Sequence, residues 1–153
     1  MQIPTQEHKK PKIEFTANPS TEDEQLLIKK ISKENYEKNP YYCTRTHFGF
    51  FVRNENSEII AGCTGLIIFG AAYTDLLWVD KNQRKTGVGK QLMEAVHEHG
   101  QRNGCKIATI QTMSFQDAVQ FYEKLGYVKD FERTGYINNS SCIFMSKQLN
   151  KKG

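Results

Sequence analysis

The richest chemistry in this 153-residue chain lies in Leu77-Trp78-Val79-Asp80-Lys81-Asn82-Gln83-Arg84-Lys85-Thr86-Gly87-Val88-Gly89-Lys90, which reads as a strand, a short basic loop, two glycines and the start of a helix. Glycines let backbone approach a ligand closely, and the unpaired N–H groups of a helix's first turn favour anionic oxygens. Arg84, Lys85 and Lys90 add positive charge. A helix dipole contributes only about 0.3–1 kcal/mol per anionic group, so tight diphosphate binding needs several converging N–H donors as well as the cations. The stretch departs from both common nucleotide loops. GxxxxGK[ST] requires Gly where Arg84 stands and Ser or Thr where Gln91 stands, and GxGxxG requires Gly at Leu92. The residues alone leave two readings open: an anion cradle, or a tight strand-to-helix turn with solvated basic neighbours.

Other reactive side chains are scattered. Cys43, Cys63, Cys105 and Cys142 form no CxxC pair, and no His stands at zinc-finger spacing. His97 and His99 point about 200° apart around a helix and cannot share a metal-binding face. Cys63 and Cys105 fall in strand positions that suit core filling. We therefore expect reduced thiols, no metal site and a cytoplasmic protein. The excess of 21 Lys plus Arg over 17 Asp plus Glu is too small to identify a partner, and no basic stripe interleaved with aromatics speaks for nucleic acid. Apolar runs such as Gly65 to Tyr73 fall short of the roughly 20 residues a bilayer span needs. The polar start lacks the apolar core of an export signal, so a flexible tail is expected over 1–11 and one domain over 12–150.

The elements that must hold the basic loop follow from periodicity. Lys12 to Thr16 alternates like a short strand, and Ser20 with Asp23 forms a capping pattern ahead of Leu27, Ile28 and Ile31, with Pro40 closing that helix. Phe48 to Val52 and Glu58 to Phe69 flank the turn Asn54 to Ser57 and read as an antiparallel hairpin, and Gly70 turns the chain into a strand over Tyr73 to Val79. Val88, Leu92, Ala95, Val96 and His99 recur at helical spacing before Gly104. Lys106 to Thr112 follows as a strand, and Ser114 with Asp117 suggests a second cap before Ala118, Phe121, Tyr122 and Leu125. Two strands, Tyr127 to Thr134 and Ser141 to Leu149, close the chain. The fold class is a mixed α/β sheet flanked by helices. Hairpin-joined strands run antiparallel, and the crossover through the second helix makes the fourth and fifth expected strands parallel.

Arg84-Lys85-Thr86-Gly87-Val88-Gly89 fits [QR]xxGx[GA], Leu77-x-Val79 precedes it, and Ala118-x-x-Phe121-Tyr122-Glu123-Lys124-Leu125-Gly126-Tyr127 follows at the appropriate distance. In this ordered combination, from about Tyr73 to Tyr127, the chain resembles the GNAT superfamily of acyl-CoA-dependent N-acyltransferases. The resemblance implies acetyl-CoA, or another acyl-CoA, held where the fourth and fifth strands splay apart. Its diphosphate would rest on the amides of Lys85, Thr86, Gly87, Val88, Gly89 and Lys90 beside Arg84, with its pantetheine along Leu77, Trp78 and Val79. Where the family often has an Asn touching pantetheine this chain has Phe115, and Ser114 next to it is the expected substitute.

In the implied reaction a neutral amine attacks the thioester directly, giving an N-acetylated product and free CoA. Tyr122 matches the family's tyrosine facing the leaving sulfur. Full proton transfer from a phenol of pKa about 10 to a thiolate near 8.5 is uphill by about 2 kcal/mol, which favours hydrogen-bond stabilisation of the thiolate. The same tyrosine, beside Phe121 on a helix, also has the spacing of a core aromatic. Asp75, two residues before Leu77, is the candidate base for the amine and would share Leu77's face on a regular strand, although the family often has a bulge here that breaks the alternation. A solvated Asp75 with water carrying the proton is the alternative. The acceptor would meet the first helix, the Tyr41 to His47 connector and the Gly135 to Ser140 loop, where Tyr41, Tyr42 and Tyr136 either line an entrance or pack. A catalytically silent acyl-CoA-binding module is the alternative, and a homodimer is compatible with either.

Overall fold

The computed structural model describes residues 1–2, 10–40 and 45–149. The chain divides into two compact units, Met1–Tyr42 and Cys43–Gly153. The first carries α1 (Thr21–Lys38), whose N-cap Ser20 accepts a hydrogen bond from the Asp23 amide at 3.1 Å. Glu22, Asp23 and Glu24 in its first turn and Lys38 in its last complement the helix dipole. The strand expected over Lys12 to Thr16 does not form. The segment is irregular, with Ile13 and Phe15 94% and 91% exposed, because alternation makes a strand only where a neighbour supplies the ladder.

The second unit contains β1 (Thr46–Arg53), β2 (Ile59–Ile68), β3 (Ala71–Val79), α2 (Val88–Arg102), β4 (Ile107–Met113), α3 (Val119–Lys124), β5 (Val128–Arg133) and β6 (Cys142–Gln148). The strands form one mixed sheet in the order β1-β2-β3-β4-β6-β5. Asn54 makes the first hairpin, its side-chain oxygen accepting from the amides of Asn56 and Glu58 at 2.9 and 3.0 Å. Phe69 and Gly70, at φ 52° and 75°, make the second, since a two-residue hairpin turn matching the strand twist takes positive φ. The other neighbours also pair antiparallel, and β3 with β4 is the parallel exception. With no strand at 12–16, the fourth and fifth expected strands are β3 and β4.

One sheet face is closed by α2 and α3. Leu92, Met93 and Val96 of α2 and Tyr122 of α3 join Ala61, Cys63, Ile67, Ala72, Ala108, Ile110 and Met145 in the core. Within β3 the inward positions shift from even to odd, with Ala72 and Thr74 buried and then Leu77 and Val79 packed on the core. A bulge causes this. Gly65 pairs with Thr74 and Thr64 with Leu76, which leaves Asp75 as the extra residue. Gly65 permits the close approach, for a Cβ there would run into the Tyr73 carbonyl and, at 2.6 Å, the Phe48 ring.

Candidate functional site

The sheet opens between β3 and β4. Their parallel pairing comprises Ala71 with Ile107, Ala72 with Ala108 and Tyr73 with Thr109. Beyond this both strands continue, β3 to Val79 and β4 to Met113, without pairing to each other. The β3 edge carrying Leu77, Trp78 and Val79 therefore has no strand opposite it on the β4 side. Leu77 and Val79 are half-buried on the helical face, whereas Trp78 is 50% exposed on the other. Open edge amides along an extended wedge can pair with an extended ligand carrying amides of its own.

The basic loop joins the far end of β3 to α2. Asp80 accepts from the Asn82 amide at 2.8 Å and caps a 3₁₀ turn over Lys81–Gln83. Arg84 folds back so that Nε donates to the Val79 carbonyl at 3.1 Å, and the Thr86 hydroxyl donates to the Gln83 carbonyl. Lys85 adopts φ 61° and Gly87 φ 88°, turning the chain into the helix. The start of α2 has no side-chain cap and no acidic residue in its first turn, in contrast to α1. Its leading N–H groups are left for a ligand or solvent, with Arg84 and Lys85 alongside. Lys90 lies 3.8 Å from Glu94 in an exposed pair, which screening weakens. The two glycines serve different ends. A Cβ on Gly87 would meet nothing within 4 Å, so its requirement is the left-handed backbone, whereas a Cβ on Gly89 would stand 3.3 Å from the Phe121 ring. Gly89 thus lets α2 and α3 approach each other.

Tyr122 is brought to the helical face of the wedge. It is 7% exposed, its ring meets those of Phe121 and Tyr127 edge-on at 5.1 and 5.5 Å, and its hydroxyl has no hydrogen-bond partner among the described residues. Burial and then the neighbouring Cys63 push its hydroxyl up to about 12. Cys63 is the cross-strand partner of Leu77, which places Tyr122 by the open stretch of β3. Its backing was not legible from motifs. His97 Nε2 and Tyr127 Oη lie 2.8 Å apart in the interior. Burial, followed by the Lys147 ammonium, lowers His97 to about 4, so the ring is neutral, and burial pushes the Tyr127 hydroxyl up. Lys147 itself donates to the Leu125 carbonyl at 2.7 Å, fixing the end of α3. His99 packs on Phe48 and Phe50.

Asp75 does not share Leu77's face as expected, because the bulge breaks the alternation between them. It is exposed, and the Tyr73 hydroxyl is pushed up by burial and then by the nearby Asp75 carboxylate. Tyr73 precedes Asp75 by two residues on the β3 stretch before the bulge, a period-two signal that could have identified it. Ser114 does not cap a helix. It opens a 3₁₀ turn, Ser114–Gln116, held by the Gln116 side chain on the Met113 amide at 2.8 Å, and Asp117 takes φ 52° before α3 starts at Val119. The Ser114 hydroxyl accepts from the Ser141 amide at 3.0 Å. Beside it lies a cleft of about 400 Å³ lined by Ser114, Phe115 and Ile137 to Ser140, while Tyr136 is 39% exposed. Tyr41, Tyr42 and Cys43 lie outside the described residues. Cys63, Cys105 and Cys142 are buried. Among the described residues no group of three or more His, Cys, Asp or Glu could hold a metal, and no helix is long and apolar enough to cross a membrane.

A mixed sheet parted between two parallel strands, with a basic uncapped helix start at its rim, defines the N-acyltransferase class of α/β folds. Residues 46–129 match the family described as the acetyltransferase (GNAT) domain, and the chain belongs to that family. Blasticidin-S acetyltransferase of Streptomyces morookaense is 30% identical over 81 residues, 52% of this chain; the match spans 59% of that relative's length. The crystal structure of an acetyltransferase from Bacillus cereus ATCC 14579 superposes with a TM-score of 0.73 at 26% identity, covering 89% of this chain and 98% of that one. A candidate streptothricin acetyltransferase from Bacillus anthracis, solved in complex with acetyl coenzyme A, superposes with a TM-score of 0.63 at 21% identity, covering 73% and 68%.

Proposed function

We propose that this protein transfers the acetyl group of acetyl-CoA to a primary amine of a small molecule or peptide by direct attack. The observation that carries this reading is the parting of β3 from β4 after Tyr73, with an uncapped helix start at one end and a buried tyrosine on its inner face. The diphosphate lies on the amides of Lys85 to Lys90, with Arg84 and Lys85 supplying charge, and the pantetheine follows the open edge at Leu77 to Val79. Ser114, already engaged by the Ser141 amide, contributes at the far end of β4.

Backbone N–H groups of that edge polarise the thioester carbonyl as the amine attacks. The new C–N bond forms, the C–S bond breaks, and the thiolate departs beside Tyr122. With its hydroxyl near 12, full proton transfer to a thiol of about 8.5 would be uphill by about 5 kcal/mol, so Tyr122 donates a hydrogen bond and retains its proton. Asp75, with Tyr73 nearby, relays the amine's proton through water to solvent before attack, because an aliphatic ammonium near pKa 10 is not nucleophilic. The cleft at Ile137 to Ser140 receives the acceptor. The names of the blasticidin-S and streptothricin acetyltransferases make blasticidin S and streptothricin the first acceptors to try. The test is release of free CoA thiol from acetyl-CoA with a panel of such amines and of peptides. Amine-dependent thiol release is expected; tight acetyl-CoA binding without turnover across the panel would establish the silent binding module instead.

A further inference from the structure

Thr74 is 4% exposed, and its hydroxyl is a fully buried side-chain oxygen with no hydrogen-bond partner among the described residues. A buried hydroxyl without a partner carries a desolvation penalty that folded proteins seldom leave standing, so each instance calls for a physical cause. Its position supplies one. Thr74 immediately follows Tyr73, the last β3 residue paired with β4, and so stands at the vertex of the wedge. It faces the helix-covered side with Ala72, the side on which Cys63 and Tyr122 lie. From Val79, beside the basic loop, to Thr74 is five strand residues at about 3.3 Å each, on the order of 17 Å, the reach of an extended pantetheine arm.

We propose that the Thr74 hydroxyl is a substrate-binding group that receives its missing hydrogen bond from the thioester end of acyl-CoA, donating to the thioester carbonyl at the vertex. The inference rests on the acyl-CoA reading above and adds to it a side chain that no motif marks. The hydroxyl is kept unsatisfied in the free protein and satisfied in the complex, so its contribution appears as affinity for the acylated end of the ligand and not as stability of the fold.

The test is calorimetric titration of the wild type, Thr74→Val and Thr74→Ser with acetyl-CoA and with adenosine 3′,5′-bisphosphate, which lacks the pantetheine arm, together with thermal unfolding of each free protein. Thr74→Val should bind acetyl-CoA about three- to tenfold more weakly, bind the bisphosphate as the wild type does, and unfold no earlier than the wild type; Thr74→Ser should retain the affinity. Unchanged acetyl-CoA affinity in Thr74→Val overturns the assignment. So does an equal loss for both ligands, or early unfolding of the free variant, either of which would show a partner already present in the unliganded fold. A wild type that binds neither ligand would instead bring down the acyl-CoA reading, and this assignment with it.

Discussion

At the scale of single residues, what Tyr122 can do is set by how deeply it is buried. A hydroxyl pushed to about 12 is a poor acid, yet it is a donor with no partner among the described residues, and a hydrogen bond to a charged acceptor contributes about 1.5–3 kcal/mol. Tyr122→Phe removes that donor and keeps the ring contacts with Phe121 and Tyr127. Turnover should fall about 10- to 100-fold with acetyl-CoA affinity nearly unchanged, as steady-state kinetics and calorimetry on the same preparation would show. A rate equal to that of the wild type would leave Tyr122 as a core aromatic, a role its spacing also allowed. The proton balance at Asp75 is separate, since that carboxylate is exposed and acts electrostatically on Tyr73, not on Tyr122.

At the scale of elements, the loop between β3 and α2 illustrates how one motif combines two requirements. Gly87 needs freedom of backbone at φ 88° with open space around it, and Gly89 needs the absence of a side chain against Phe121. Gly87→Ala should therefore strain the turn by about 1–2 kcal/mol and weaken acetyl-CoA binding severalfold. Gly89→Ala should chiefly lower the thermal midpoint by pressing α3 away from α2, and calorimetry beside thermal unfolding separates the two. Periodicity made α2 and the β1 to β4 order readable, because apolar spacing and turn residues are local properties. It failed at 12–16, where a strand requires a partner that alternation cannot specify, and at Ser114, whose hydroxyl serves the Ser141 amide across the sheet. The parity change at Asp75 also escaped it, since a bulge is a property of two strands, fixed here by Gly65 opposite. The site was legible where backbone geometry demands particular residue types, as in the glycine loop, and hidden where pairing across the core decides, as at Tyr73, Thr74 and His97.

At the scale of the whole second unit, the His97–Tyr127 pair links α2 to the start of β5, with Lys147 of β6 close by and Tyr122 packed on Tyr127. The neutral state of His97 is therefore a condition of the fold. Its pKa is about 4 when folded and near 6.5 when unfolded, so between these values the unfolded chain binds the extra proton. Stability from this group is complete above pH 6.5 and drains away as the pH falls toward 4, by at most about 3 kcal/mol. Glu132 does not imitate the effect: the Lys129 ammonium and the Ser141 hydroxyl hold its carboxyl below the ordinary range, and its titration falls at lower pH. Urea unfolding at pH 7, 5.5 and 4.5 should show a declining midpoint in the wild type and a flatter profile in His97→Gln, which carries no titrating ring. Acetyl-CoA binding at pH 5.5 should weaken no more than the folded fraction does, because the loss arises in the seat of α3 and not at the wedge. An equally steep acid profile in His97→Gln would move the origin of that sensitivity away from the pair.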